Sequence, residues 1–210
     1  MTKYYSVPLS RHELEEIALG IKSGKNVIFP TETVYGIGAD ATNDMAVKGI
    51  FEAKGRPNDK PLIVLIDDMA KLDDIIERPN DLEKKLMEAF WPGALTIIFN
   101  LKSDSRISKY VSCGSDTIGI RLTSSGLARD LIRVSGVPMV APSANMSGEK
   151  TGINIEEIKN TFRDKVDYVI DGGNIESDTT STLVRVVDGE IKILRSGKIS
   201  SKEILGLKRG

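Results

Sequence analysis

Histidine and cysteine are almost missing: the 210 residues include one of each, His12 and Cys113. A lone cysteine closes no internal disulfide and builds no multi-thiolate zinc site, which fits a reducing cytosol and argues against a structural metal. His12 falls near the start of a polar helix, so Ser-His-Asp catalysis and histidine-rich metal ligation are excluded by inventory. Cys113 has no base beside it in sequence and does not read as a catalytic thiol. Long apolar runs are missing too. Met1 to Ser6 lacks a signal core, and no segment approaches the about 18 apolar residues of a membrane span. A soluble, cytoplasmic protein without a membrane partner is expected. Charge of one sign is also lacking: 29 Lys plus Arg face 30 Asp plus Glu, for a net charge of -1. No global field draws in nucleic acid, so any anion site has to be local.

What is present is enough to build a core. Hydrophobic residues make up 40% of the chain and charged ones 28%, which speaks against disorder and against a coiled coil. Ser10 and Glu13 have capping-box spacing ahead of a helix with Leu14, Ile17, Ala18 and Ile21 on one face. A strand at 26–29 ends at Pro30, and a polar turn with Gly36 and Gly38 follows. A helix over about 43–54 leads through a Gly/Pro loop to the unbroken apolar strand Leu62 to Ile66, which suggests cover on both sheet faces. Helices are expected near 70–76 and 81–90, strands at 95–101 and 117–122, a helix at 127–134 and a short strand at 139–141. A helix at 155–162, a strand at 168–170 and a hairpin turning at Asp188-Gly189 complete the pattern. The expectation is one α/β domain over residues 1–210, a twisted sheet of parallel and antiparallel strands flanked by helices, with a core from about 8 to 200 and a frayed tail at 206–210.

Polar clusters follow several of these strands, where ligand sites of open α/β sheets form. They are Pro30 to Gly36, Arg121 with Thr123, Ala141 to Asn145, and Arg195 to Lys198; Lys54, Arg56 and Lys60 form another between helix and strand. Guanidinium forks and mobile ammonium groups suit a ligand with several anionic oxygens, such as a nucleotide. Standard phosphate motifs fail. Lys150 lacks the glycines of a P-loop, and Gly36-Ile37-Gly38 with Ala41 lies too far beyond the strand for a dinucleotide turn. Asp67-Asp68 and Asp73-Asp74 read as solvated carboxylates at element ends, and Trp91 as a packing anchor.

Taken together, Pro30-Thr31-Glu32-Thr33-Val34-Tyr35-Gly36, Lys54-Gly55-Arg56-Pro57, Ala141-Pro142-Ser143-Ala144-Asn145 and Leu194-Arg195-Ser196-Gly197 resemble the YrdC/Sua5 family of threonylcarbamoyl-AMP synthases. The resemblance extends through Trp91-Pro92-Gly93, Gly119-Ile120-Arg121 and Ser181-Thr182, in the family's order, and matches its short form. It implies a nucleotidyltransferase joining L-threonine, bicarbonate or CO2 and ATP, with Mg²⁺ carried by the nucleotide and no resident metal. The product would pass to downstream transferase proteins for tRNA t6A modification. The family tetrad falls on Lys54, Arg56, Ser143 and Asn145. Thr33, Tyr35, Arg121, Ala141 and Ser181 match positions around threonine; Arg56, Lys60, Thr117, Ser143, Thr151 and Arg195 match positions around the nucleotide. One departure is Leu65, where long members carry a pocket histidine. Two other readings share the fold: the carbamoyl-transfer domain of hydrogenase maturation proteins, disfavoured by the length and the single cysteine, and a nonenzymatic module binding tRNA or double-stranded RNA. The synthase reading expects the cations of these clusters to line one hollow, and it fails if Lys54, Arg56, Arg121 and Arg195 stand on opposite sides of the molecule.

Overall fold

The computed structural model describes residues 1–207. Its strands, in chain order, are β1 (Lys3–Ser6), β2 (Val27–Pro30), β3 (Tyr35–Asp40), β4 (Ile63–Ile66), β5 (Leu95–Asn100), β6 (Thr117–Leu122), β7 (Met139–Val140), β8 (Tyr168–Asp171), β9 (Thr182–Val187) and β10 (Glu190–Arg195). The helices are α1 (Arg11–Lys22), α2 (Asp44–Lys54), α3 (Asp81–Phe90), α4 (Lys109–Ser112), α5 (Gly126–Ser135), α6 (Ile155–Thr161) and α7 (Ser201–Gly206). All ten strands join one sheet in the order β1-β8-β2-β3-β7-β4-β6-β5-β9-β10. β4 and β6 run parallel, as do β5 and β9, whereas β3, β7 and β4 alternate in direction. This is the mixed sheet expected, with β9 and β10 as the antiparallel edge pair.

Both faces are covered. Successive residues of β4 show it: Val64 and Ile66 enter a large cluster with Ile50, Phe51 and Phe99, while Leu65 enters a smaller one with Phe29, Met139 and Leu131. A strand with apolar residues on both pleats satisfies both layers at once. The smaller layer is closed by α1 and α5 through Ile17, Ile21, Leu131 and Ile132. Caps stop these helices where the sequence suggests. Ser10 and Glu13 form a reciprocal box on α1, and Gly136 ends α5 with φ 74°, a conformation that costs glycine little.

Four local readings change. The segment from Gly36 to Asp40 is the fully buried strand β3 near the middle of the sheet, not a loop. Its glycines serve packing: a Cβ on Gly38 would lie 2.5 Å from Met139 Cε and 2.6 Å from Phe29 Cε1. The expected helix near 70–76 is a 3-10 turn at Met69–Asp74. β1 and α4, unanticipated, are only four residues each and too short to show a period. The tail is ordered further than expected: Ser200 and Glu203 cap α7, Ile204 is fully buried, and Gly206 is helical, while 208–210 lie outside the described residues. Among the described residues, no helix is long and apolar enough to cross a membrane.

Candidate functional site: an arginine-lined cleft on the sheet

The turn after β2 sets the first wall. Thr31 Oγ donates to the Val34 carbonyl at 2.6 Å and accepts the Thr33 and Val34 amides at 3.2 Å each, so the hydroxyl spacing fixes the loop. Thr33 Oγ lies 3.0 Å from Thr31 Oγ and accepts from Arg121 at 2.9 Å. Because the Thr31 proton is committed to Val34, the Thr33 hydroxyl, which accepts from Arg121, retains one acceptor position.

Arg121 projects from β6, 2% exposed. Its terminal nitrogen sits 3.4 Å from Glu32 Oε1, while Glu32 Oε2 accepts from Thr123 at 2.6 Å. On the neighbouring side Arg195, at the end of β10, donates through Nε and one amino nitrogen to the Ser181 carbonyl at 3.2 and 2.9 Å, and to Ser181 Oγ at 3.1 Å. Ser181 Oγ also pairs with Thr96 Oγ at 2.8 Å. Gly197 makes this corner possible: a Cβ there would lie 2.4 Å from the Thr180 carbonyl oxygen. Arg56 completes the set, folded back on its own loop through the Lys60 and Pro61 carbonyls at 3.2 and 3.1 Å. Burial pushes the pKa of all three guanidiniums down, with Glu32 opposing this at Arg121. A guanidinium nevertheless stays charged near neutral pH.

These three arginines wall one cleft of about 250 Å³, together with Thr33, Ala141, Ser143 and Ser181. Ile63 and Leu183 provide its apolar floor. Gly119 lies under them, where a Cβ would come 3.5 Å from Ile63 and 4.0 Å from Leu183. A larger hollow of about 670 Å³ at Lys71, Lys102 and Arg106 is also walled by Asp74 and Asp104, so its charges are mixed.

The other expected residues stand outside the wall. Lys54 is 2% exposed and spends its ammonium on the carbonyls of Ser143 and Asn145. Burial, helped by Arg56, lowers its pKa to about 8. Four cations therefore do not meet in one hollow: three do, and Lys54 braces the loop behind them because a lysine stem buried at the end of α2 reaches carbonyls first. Asn145 braces the same loop, accepting from Ser143 Oγ at 2.5 Å and donating to Met146 and Glu149 carbonyls at 3.0 and 2.8 Å. Tyr35 is fully buried, its hydroxyl donating to the Gly173 carbonyl at 2.7 Å and accepting the Gly172 amide at 2.8 Å. Lys60 is exposed and Thr151 half-buried, both outside the lining. Thr117 shares the face of β6 with Gly119 and Arg121, but its hydroxyl pairs with Ser115 at 2.9 Å. Leu65 packs in the smaller core layer, and Ile63 takes the wall position on β4 instead. Thr96 and Glu32 were given no role from sequence. A hydroxyl inside the apolar strand Leu95 to Phe99 was the available signal for Thr96, since a buried hydroxyl needs a partner.

An α/β sheet whose cleft gathers three guanidiniums and several hydroxyls has the donor set that suits a small ligand rich in anionic oxygen. A family model for Sua5, YciO and YrdC proteins, described as "Telomere recombination", matches residues 20–197. The chain belongs to that family. It is 41% identical over 192 residues to the threonylcarbamoyl-AMP synthase of Bacillus subtilis, covering 91% of this chain and 55% of that protein. A putative threonylcarbamoyl-AMP synthase of Methanocaldococcus jannaschii is 37% identical over 191 residues, covering 91% of this chain and 88% of that one. The crystal structure of Pyrococcus abyssi Sua5 complexed with L-threonine matches with a TM-score of 0.91 at 33% identity, over 99% of this chain and 60% of that chain. The chain thus spans little more than half the length of the B. subtilis relative.

Proposed function

We propose that this chain is an L-threonylcarbamoyladenylate synthase, a nucleotidyltransferase that converts L-threonine, bicarbonate or CO2 and ATP into threonylcarbamoyl-AMP and pyrophosphate. The product serves tRNA t6A modification by downstream transferase proteins. The observation that carries this reading is the convergence of Arg56, Arg121 and Arg195 with Thr33, Ser143 and Ser181 on one cleft. The names of the relatives support the same assignment.

The chemistry suits a site without histidine. The ammonium of threonine loses a proton to solvent, and the free amine adds CO2 and sheds a second proton, giving a carbamate that is already an anion. Bicarbonate, where it is the source, takes up a proton and loses water to give CO2. A carbamate oxygen then attacks the α-phosphorus, its new O–P bond replacing the bond to the pyrophosphate oxygen, and pyrophosphate departs with the electron pair. No strong general base is needed; positioning and charge neutralisation are. Arg121 clamps the threonine carboxylate, and the free acceptor position of Thr33 takes the substrate hydroxyl. Arg56 and Arg195 face the phosphates, while Lys54 and Asn145 hold the Ser143 loop in place. The lining offers guanidiniums and hydroxyls, and a Mg²⁺ carried in with ATP would supply further charge neutralisation at the phosphates.

The test is pyrophosphate release from ATP with threonine and bicarbonate each present or omitted. Release that requires both supports the reading; release indifferent to both overturns it.

A further inference from the structure

The reading above uses Arg121 but leaves the carboxylate beside it unexplained. A guanidinium only 2% exposed needs a counter-charge. The other charge acting on it, Arg195, has the same sign, and Glu32 opposes it. The Glu32–Arg121 contact is nevertheless incomplete. It joins Oε1 to one terminal nitrogen at 3.4 Å, beyond the parallel fork that Arg and carboxylate form when nothing else competes. Both Glu32 Oε1 and Arg121 Nε are buried without a hydrogen-bond partner among the described residues. Each orphan carries a desolvation cost, and such costs in a folded protein call for a reason.

Glu32 is itself anchored twice. Thr123, two residues beyond Arg121 and fully buried, donates to Oε2 at 2.6 Å. Lys198, beyond the Gly197 corner, donates to the Glu32 main-chain carbonyl. Glu32 is thus held through its carboxylate from the residue after β6 and through its main chain from the segment after β10, with the carboxylate close enough to orient the guanidinium and too far to occupy its fork.

We propose that Glu32 is a positioning residue: it neutralises and aims Arg121 while leaving the Nε N–H without a protein partner, the donor kept for the carboxylate of the amino-acid substrate. This rests on the threonine reading. An anion there would satisfy the orphaned N–H, and Thr33, bonded to the same guanidinium, would be aligned with it.

The experiment compares L-threonine with L-threoninol, which has a hydroxymethyl group in place of the carboxylate, by calorimetric titration of the full chain. Glu32→Gln keeps the shape and an acceptor for Thr123 but removes the charge. In this variant the threonine Kd is expected to rise about tenfold, equivalent to about 1.4 kcal/mol, while the threoninol and ATP Kd values stay at wild-type levels. Glu32→Asp, which keeps the charge with a shorter reach, is expected to show a smaller rise; it carries the test alone if Glu32→Gln does not fold. A threonine Kd within twofold of wild type in the folded variant overturns the proposal, as does parallel weakening of all three ligands, the mark of a purely structural residue. A wild-type chain that holds threonine no better than threoninol overturns the substrate reading and this proposal with it. Discrimination equal in wild type and variant overturns this proposal alone.

Discussion

The ammonium of Lys54 at the end of α2 donates to the main-chain carbonyl of Ser143, a residue 89 positions further on. Together with the Asn145 carbonyl it ties the loop after β7 to the helix. The pKa of Lys54 is depressed by burial from 10.5 to about 8. For a base with a depressed folded pKa, the unfolded chain binds more protons between the two values, so stability rises with pH across that window and is flat below it. Unfolding by urea near pH 7 and near pH 9.5 should therefore show a gain of about 2 kcal/mol in wild type that is missing in Lys54→Met. An equal pH response in both chains contradicts the burial of a charged amine.

Thr33 ties Arg121 to the turn after β2. Thr33→Val preserves volume but leaves the buried Arg121 donor without that partner, a cost of about 1–3 kcal/mol in stability. If Thr33 reads the substrate hydroxyl, the variant also loses threonine turnover by ten- to a hundredfold. Steady-state kinetics and thermal unfolding on the same preparation separate the two effects.

Selectivity in the wild-type chain should follow the same logic. Rejection of valine, which leaves buried polar groups unpaired, is expected to exceed rejection of serine, which lacks one methyl worth about 1–3 kcal/mol. Competing pyrophosphate release with each amino acid measures this, and valine turnover equal to threonine contradicts the pocket as described.

Gly197 is the tightest point of the site, its missing Cβ replaced by the Thr180 carbonyl. Gly197→Ala must displace main chain beside Ser181, to which Arg195 is bonded. Weaker ATP binding is expected, because the displaced main chain carries the Ser181 carbonyl that Arg195 grips. Unchanged ATP binding would show that the corner does not set Arg195.

Much of this was legible beforehand, for identifiable reasons. The apolar run at 62–66 announced a strand covered on both faces, and the caps at Ser10 and Gly136 marked helix ends by local chemistry. β3 was missed because glycines that make room for Phe29 and Met139 look the same in sequence as glycines that make a turn. Within the site, residue type pointed to a set of cations but not to which of them face the cleft. Lys54 and Arg56 are two positions apart on the same helix end, yet one reaches loop carbonyls and the other the cleft. Glu32 was hidden for the opposite reason, since a carboxylate in a cationic site gains meaning only from a distance to Arg121.

The most direct test is a crystal structure with L-threonine and α,β-methylene-ATP, whose carbon bridge blocks pyrophosphate release. The account predicts the threonine carboxylate at Arg121 and the triphosphate at Arg56 and Arg195, both in the cleft on the β4 and β6 face. A nucleotide found in the hollow at Lys71, Lys102 and Arg106, with the arginine cleft empty, contradicts it.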